Sequence, residues 1–414
     1  AAALLFGLLP ALHTVRPDTA ASLREGGRGT AGSRSQGRLR HGIVGFQVAL
    51  AVVVVAGASL LGRSLVRLAA VDPGLDPDRA VVLRMDPPGD TYGPNQEDGG
   101  RTFHAILDRV AAAVAAVPGV EGVGMVDILP LSGSFNGNPY LLEGLPEPEE
   151  GQAASAETRA ATAGYFEALG IRLLAGRAMR PGDDADAPRV AWVGAALLRA
   201  HGRDPGDAIG TRIRLWGADE PWFTIAGVLD DVAQFTLDRD PDPAVYIAFP
   251  QAPLWMSFEP WLVVRTTGDA ERLAPAVRRA IAAVDPAIPV YDVAPMDDIL
   301  RATLAAPRFR TVLLLSFAGV AFLLAAIGVY GMVAYTVARR RPELGVRMAL
   351  GADARDIRRL VVGQGLAPVL AGATLGLAAA LIATRALDAF LFGVSATDPV
   401  TLAAAPLLLL AVAT

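Results

Sequence analysis

His104 and His201 are the histidines of the long central stretch 63–310, and neither belongs to a pair spaced to ligate a metal. His104 falls between the apolar positions of an amphipathic helix, where a surface or boundary role is expected. Two aspartate runs, Asp183, Asp184 and Asp186, then Asp238, Asp240 and Asp242, suggest calcium. Both lack the glycine and terminal glutamate of an EF-hand loop, so they read as solvated turns. Ser132 and Ser134 flank Gly133, but the G-x-S-x-G elbow that exposes a nucleophile is absent. Gly122 and Gly124 form a fragment of a dinucleotide fingerprint without its third glycine. The chain has no cysteine, which removes disulfides, thiolate nucleophiles and cysteine metal sites. It also has no lysine: all 37 basic residues are arginine, so a P-loop lysine and Schiff-base chemistry are excluded. No catalytic, cofactor or metal site is expected, and the chain is not expected to be an enzyme.

The elements around these residues are dominated by apolar runs. A helix crossing a hydrocarbon core of roughly 30 Å needs about 20 mostly apolar residues. Residues 43–62, 311–338 and 360–384 meet that length, the last two without a charge. Residues 1–12 and 400–414 read as truncated spans. Arginine in the short loops sets the orientation. Residues 13–41 hold six arginines against two acidic residues, and 337–360 hold seven against three, so both are expected to be cytoplasmic. Residues 63–310 hold 23 arginines and 35 acidic residues, net −12, and are expected outside. The alternation then closes, with 385–399 as a short outer loop. Gly372 and Gly376 have the small-xxx-small spacing that lets membrane helices approach closely.

The outer stretch reads as an α+β domain. Residues 80–86 form a predicted strand. Residues 101–117 follow as an amphipathic helix, with Phe103, Ile106, Leu107, Val110, Val114 and Val117 on one face; Pro118-Gly119 stops it, and 120–128 is a second strand. The same order recurs late: strand 261–266, helix 270–284 with Leu273, Val277, Ile281 and Val284 on one face, strand 288–293. Two related β-α-β units thus flank an inserted middle at about 170–260, where 189–193, 211–216, 222–229 and 244–248 are strand candidates between Gly and Pro turns. Residues 133–151, rich in Gly, Pro, Asn and Glu, are expected to be a mobile loop.

The segment 338–365 reads ARRRPELGVRMALGADARDIRRLVVGQG and closely resembles the MacB/FtsX family of permeases. That family carries a basic turn, then E-[IL]-G-[IV]-R-x-A-[LI]-G-A, then a helix into the next span. Glu343, Leu344, Gly345, Val346, Arg347, Ala349, Leu350, Gly351 and Ala352 match position by position. Pro342 departs from the pattern, and a proline suits the first turn of a helix. Further segments, GYFEALGIRLLAGR at 164–177, IGTRIRL at 209–215, IAGVLDDV at 225–232 and LFGVSATDP at 391–399, resemble the acidobacterial duplicated orphan permeases. So does FGLLPALHTVRPDTAASLREGGRG at 6–29, like a linker after a first permease half. The chain would then hold the end of one half and most of the second.

The resemblance implies transmembrane helices plus a MacB-like periplasmic core, with a porter lobe of two β-α-β units and an inserted β-rich lobe. It implies a coupling helix at 339–359 whose matched residues dock on a separate cytoplasmic ABC ATPase, which uses the ATP. The expected place is the bacterial inner membrane, multi-pass, with the large domain in the periplasm. The expected partners are that ATPase, the lipid bilayer, the missing first permease half or a second permease copy, and a periplasmic adaptor or lipoprotein, with no nucleic acid. The expected function is a permease or mechanotransmission subunit for export or envelope work. A membrane-anchored sensor or binding scaffold is the alternative.

Overall fold

The computed structural model describes residues 31–93, 100–147, 149, 153–217, 219–253, 256, 259–268, 270–349 and 353–413. The truncated span expected at 1–12 and the linker up to residue 30 lie outside the described residues, as do Leu350, Gly351 and Ala352. The helices of eight or more described residues are α1 (Ala31–Ala69), α2 (Arg101–Ala115), α3 (Ala270–Val284), α4 (Met296–Thr303), α5 (Ala305–Ala349), α6 (Ala354–Ala383) and α7 (Pro399–Ala413). The strands are β1 (Ala80–Met85), β2 (Val120–Val126), β3 (Gly137–Leu142), β4 (Ser155–Ala161), β5 (Leu173–Gly176), β6 (Val190–Gly194), β7 (Arg212–Leu215), β8 (Trp222–Leu229), β9 (Ala244–Ala248), β10 (Trp261–Thr266) and β11 (Val290–Pro295). The chain divides into two compact units, one of residues 1–64 with 310–414 and one of residues 65–309.

In the first unit three helical stretches are long and apolar enough to cross a membrane: Leu39–Leu68, Ala305–Arg341 and Gly365–Phe390. Each contains most or all of an expected span and extends beyond it. The basic linker expected at 13–42 is helical from residue 31, because Arg, Gln and Leu are good helix formers and continue the apolar helix without a break. The expected outer loop 385–399 begins with a 3-10 helix, Thr384–Phe390. Val48, Ala51, Val52 and Ala56 of α1, Ala325 and Val329 of α5, and Val369, Ala373 and Ala380 of α6 share one core with Leu402 and Ala405 of α7.

The second unit begins with two interleaved β-α-β units. β1 lies between β11 and β10, and β10 lies between β1 and β2, with every pair antiparallel. Each unit therefore straddles a strand of the other, the split arrangement that closes a four-stranded antiparallel sheet. α2 buries the five side chains Phe103, Ile106, Leu107, Val110 and Val114, and α3 buries Val277 and Ile281. Each such side chain contributes roughly 1.5–3 kcal/mol of burial. Both helices cover the face of β1 that carries Val81, Leu83 and Met85. The opposite face, with Ala80 and Val82, packs on Tyr165, Phe166 and Met296.

The inserted lobe is a closed ring of strands. β4 pairs with β3, β3 with β7, β7 with β8, β8 with β6, β6 with β9, and β9 returns in parallel to β4. Alternate residues point inward: Tyr140 and Leu142, Ile213 and Leu215, Phe223 and Ile225, Ala191 and Val193, Val245 and Ile247 share one core. The outward set on β6 and β9 is also buried, through Trp192 and Tyr246. The ring opens at Gly137, so it starts well before the expected 170, and β3 lies inside the stretch 133–151 expected as a loop. The pairing of β3 with β4 and β7 outweighs its turn-like composition, as tertiary context commonly does in sheets. A single bridge, Val126 to Ala161, continues the ladder from β2 into the ring.

Candidate functional site

The matched segment occupies the tip between α5 and α6. Among the described residues, the stretch 339–359 expected as a coupling helix is shared between two long helices: α5 runs unbroken to Ala349, and α6 starts at Ala354 after Asp353. The run Arg-Arg-Arg-Pro-Glu-Leu-Gly-Val-Arg-Met-Ala holds mostly good helix formers, and Glu343 and Arg347 pair one turn apart at 2.9 Å. Pro342 therefore lies within a long helix rather than at a first turn, and removes one backbone hydrogen bond there. Around Gly345 there is open space for a Cβ. Val346 and Met348 are exposed, at 60% and 57%. The structure thus brings Glu343, Gly345, Val346, Arg347 and Ala349 onto one helix end. The backbone of Leu344 lies in the same helix, while Leu350, Gly351 and Ala352 lie outside the described residues. Further along α5, the Arg40 guanidinium of α1 lies 4.0 Å over the Tyr335 ring.

The glycine spacing of α6 has a definite partner. A Cβ on Gly372 would come within 2.4 Å of the Gly45 carbonyl oxygen, and one on Gly376 within 2.7 Å of the Ala49 carbonyl oxygen. Gly45 and Ala49 on α1 repeat the same four-residue spacing, so two small-residue stripes face each other. At the other end of α1, Arg63 pairs with Asp398 and donates to Thr401 Oγ1 at 3.0 Å. Asp398 also accepts the Thr401 backbone N–H at 2.9 Å, capping α7, and Ser64 Oγ accepts the Phe392 N–H at 2.8 Å. The LFGVSATDP segment is thereby tied to α1, a role that its spacing alone did not reveal.

In the outer unit several of the residues first weighed for chemistry have structural partners. His201 Nε2 lies 2.8 Å from Tyr140 Oη. Asp183 receives Arg177 through two contacts of 2.8 and 2.5 Å. Asp184 Oδ1 accepts two backbone N–H groups of its own turn. Gly124 packs on Tyr165 so tightly that a Cβ would fall 2.2 Å from its Cα, so Gly122-Val-Gly124 serves strand packing.

A buried ionisable cluster, not singled out from sequence, lies where β2 meets the ring. Arg159 and Glu157 on β4 are 0% and 2% exposed and pair at 2.5 Å. Asp127, just past β2, accepts the Ile128 N–H at 2.8 Å and the Ala160 N–H at 3.1 Å, both on Oδ1. Burial pushes its carboxyl up to about 7, against the opposing pull of Arg159 and those N–H groups. Tyr246 is pushed up to about 12 by burial, and Gln234 donates to its hydroxyl at 2.7 Å. The sequence signal available was the opposite-charge pair Glu157 and Arg159 two residues apart, ahead of the apolar end of the strand.

Comparison with known proteins places these features. Residues 47–284 match the model of the MacB-like periplasmic core domain, and residues 315–414 that of the FtsX-like permease C-terminal region. The pyoverdine export ATP-binding/permease protein PvdT of Pseudomonas syringae pv. tomato is 28% identical over 221 residues, half of this chain and 33% of that protein. Its counterpart in Pseudomonas aeruginosa is 27% identical over 168 residues, 38% of this chain and 25% of that protein. The chain thus spans at most about a third of the length of these curated relatives. Among solved structures, the periplasmic region of MacB from Actinobacillus actinomycetemcomitans aligns over 57% of this chain and 97% of its own, at 10% identity and TM-score 0.37. The extracellular domain of the ABC-type transporter YknZ from Gram-positive bacteria aligns over 51% and 100%, at 12% identity and TM-score 0.31.

Proposed function

The chain belongs to the family of ABC transporter permeases that carry a MacB-like periplasmic core domain, and from that premise we propose that it is a mechanotransmission subunit of the bacterial inner membrane. In this reading a cytoplasmic cassette ATPase, outside these 414 residues, grips the tip between α5 and α6. ATP binding and hydrolysis there move the tip, and the motion reaches the periplasmic domain. Export is the work proposed, in keeping with the names of the pyoverdine relatives.

The observation that carries the reading is α5 itself. It is one helix of 45 residues, from Ala305, which belongs to the outer unit, to Ala349, inside the E-L-G-V-R-M-A-L-G-A segment. A continuous helix transmits displacement along its axis because every turn is tied to the next by backbone hydrogen bonds. Exposed Val346 and Met348 and the open space at Gly345 give a partner an apolar surface to press on. Arg347 and Glu343 flank that surface with paired charges.

Pull-down of the intact chain from its native membrane is expected to capture a cassette ATPase. Glu343→Arg, which breaks the pair with Arg347, and Gly345→Trp, which fills the open space, are expected to weaken that association or the ATPase rate of the complex. Unchanged association and unchanged rate in both variants would overturn the proposal.

A further inference from the structure

A cavity of about 280 Å³ lies in the outer unit, bounded by β1, the 127–134 segment, β10, β11 and α4. That is close to the lower end of small-molecule pockets, roughly 300 Å³. Three independent features concentrate there. First, polar atoms lack partners: Arg84 Nε and Ser132 Oγ are buried and meet no hydrogen-bond partner among the described residues. Such orphans call for an explanation, an absent ligand being one. Second, the backbone is strained. Five non-glycine residues adopt positive φ among the described residues, and three belong to this place: Leu131 at 64° and Asp292 at 51° line the cavity, and Glu259 at 53° pairs with Arg84. Left-handed backbone at non-glycine residues clusters at ligand clamps. Third, Asp127 lines the cavity while only 6% exposed, and the Ile128 and Ala160 N–H groups both fall on Oδ1 rather than Oδ2.

The chemistry of the wall selects the ligand. Asp127 and Asp292 supply two carboxyl groups, whereas the one cation, Arg84, is engaged by Glu259. Negative charge is therefore in excess. Arg84 Nε and Ser132 Oγ offer hydrogen-bond donors, and Trp261, Leu131 and Ile299 offer apolar surface. We propose that this cavity is a binding site for a small amphiphilic amine that also carries a hydroxyl or carbonyl oxygen. The ammonium donates to Asp127 Oδ2, the oxygen accepts from Arg84 and Ser132, and the apolar body rests on Trp261. Ile299 lies on α4, which leads through Leu304 alone into α5, so the occupant touches the segment that enters a membrane-spanning helix. The site needs no ATPase and stands apart from the transport reading.

The test uses the purified full chain in detergent, with 2-amino-1-phenylethanol as probe and 1-phenyl-1,2-ethanediol as its uncharged counterpart, read by titration calorimetry. The amine is expected to saturate and the diol to show no heat. Asp127→Asn keeps the Oδ1 acceptor for Ile128 and Ala160 and is expected to weaken the amine at least about tenfold. Ser132→Ala is expected to weaken it severalfold at unchanged melting temperature. Affinity is expected to rise from about pH 6 to about pH 8 as Asp127 ionises. The charged and titratable groups around that carboxyl are Arg159 of β4, Tyr165, Tyr246 of β9, and Arg84 and Asp292 across the cavity. Equal binding of amine and diol, no binding of either, or amine affinity indifferent to Asp127→Asn would each overturn the site. Should Asp127→Asn fail to fold, amine binding that survives both Ser132→Ala and Ala302→Trp, which adds bulk to the cavity wall, does the same.

Discussion

Asp127 and Arg159 concentrate the residue-scale physics of the outer unit. With Asp127 ionised, the cluster holds two carboxylates against one guanidinium; with Asp127 neutral, its charges balance. The folded-state value of about 7 stands above the unfolded value of about 3.9, so the folded chain holds the extra proton between them. Stability is therefore expected to fall as pH rises from about 4 through about 7, by at most about 1.4 kcal/mol per pH unit, and Asp127→Asn should flatten that slope. All five tryptophans lie between residues 192 and 261, so tryptophan fluorescence during denaturant unfolding follows this unit selectively. A slope unchanged by Asp127→Asn would reassign the titration to another group. The Arg159–Glu157 pair makes a second prediction. Arg159→Met alone strands Glu157 without a countercharge and should cost about 3–5 kcal/mol, whereas Arg159→Met with Glu157→Gln should recover much of the loss. The same unfolding curves measure both; a double variant no more stable than the single would contradict it.

Packing of whole helices is decided by where side chains are missing. Gly372 and Gly376 let α6 reach the α1 backbone at Gly45 and Ala49, where a Cβ would enter van der Waals space already filled by main-chain atoms. Neither helix can yield there without separating from the other. Gly372→Val is therefore expected to lower the melting temperature of the detergent-solubilised chain markedly. Gly319→Ala on α5, where a Cβ meets nothing within 4 Å, should leave it unchanged or slightly raised. Equal effects of the two would remove the case for a tight α1–α6 seam. The tip element obeys a different logic. Its helix formers carry α5 through Pro342 to Ala349, so the E-L-G-V-R-M-A stretch is the end of a long helix.

At the scale of the whole molecule, charge asymmetry and apolar length set the topology. The outer stretch carries net −12, and the two short basic segments lie before the first membrane-crossing helix and between the second and third. Since the parent has no cysteine, a single cysteine at position 240, an exposed residue outside any helix or strand, should react with a membrane-impermeant maleimide in intact spheroplasts. A cysteine replacing Ala349 should react only after the membrane is permeabilised. Labelling of Ala349→Cys from outside would invert the orientation and with it the proposed ATPase contact.

Sequence by itself determined the elements whose signal is local. Uncharged runs of about 20 residues can be little but membrane helices, and the 3–4 spacing of α2 and α3 dictated which faces those helices bury. Helix 270–284 and strand 261–266 match the observed bounds. Only tertiary structure decided what depends on partners distant along the chain. The β4–β9 pairing closes the ring across 87 residues, and β3 owes its existence to its pairings with β4 and β7. Gly45 and Ala49 became meaningful only opposite Gly372 and Gly376, and Arg63 only opposite Asp398. The cavity beside Asp127 likewise needs residues from 84 to 302 to converge. The physical reason is common to all of these: composition and periodicity record each segment's own preference for solvent or lipid, while closure, close approach and orphaned polar atoms are properties of pairs, which no single segment encodes.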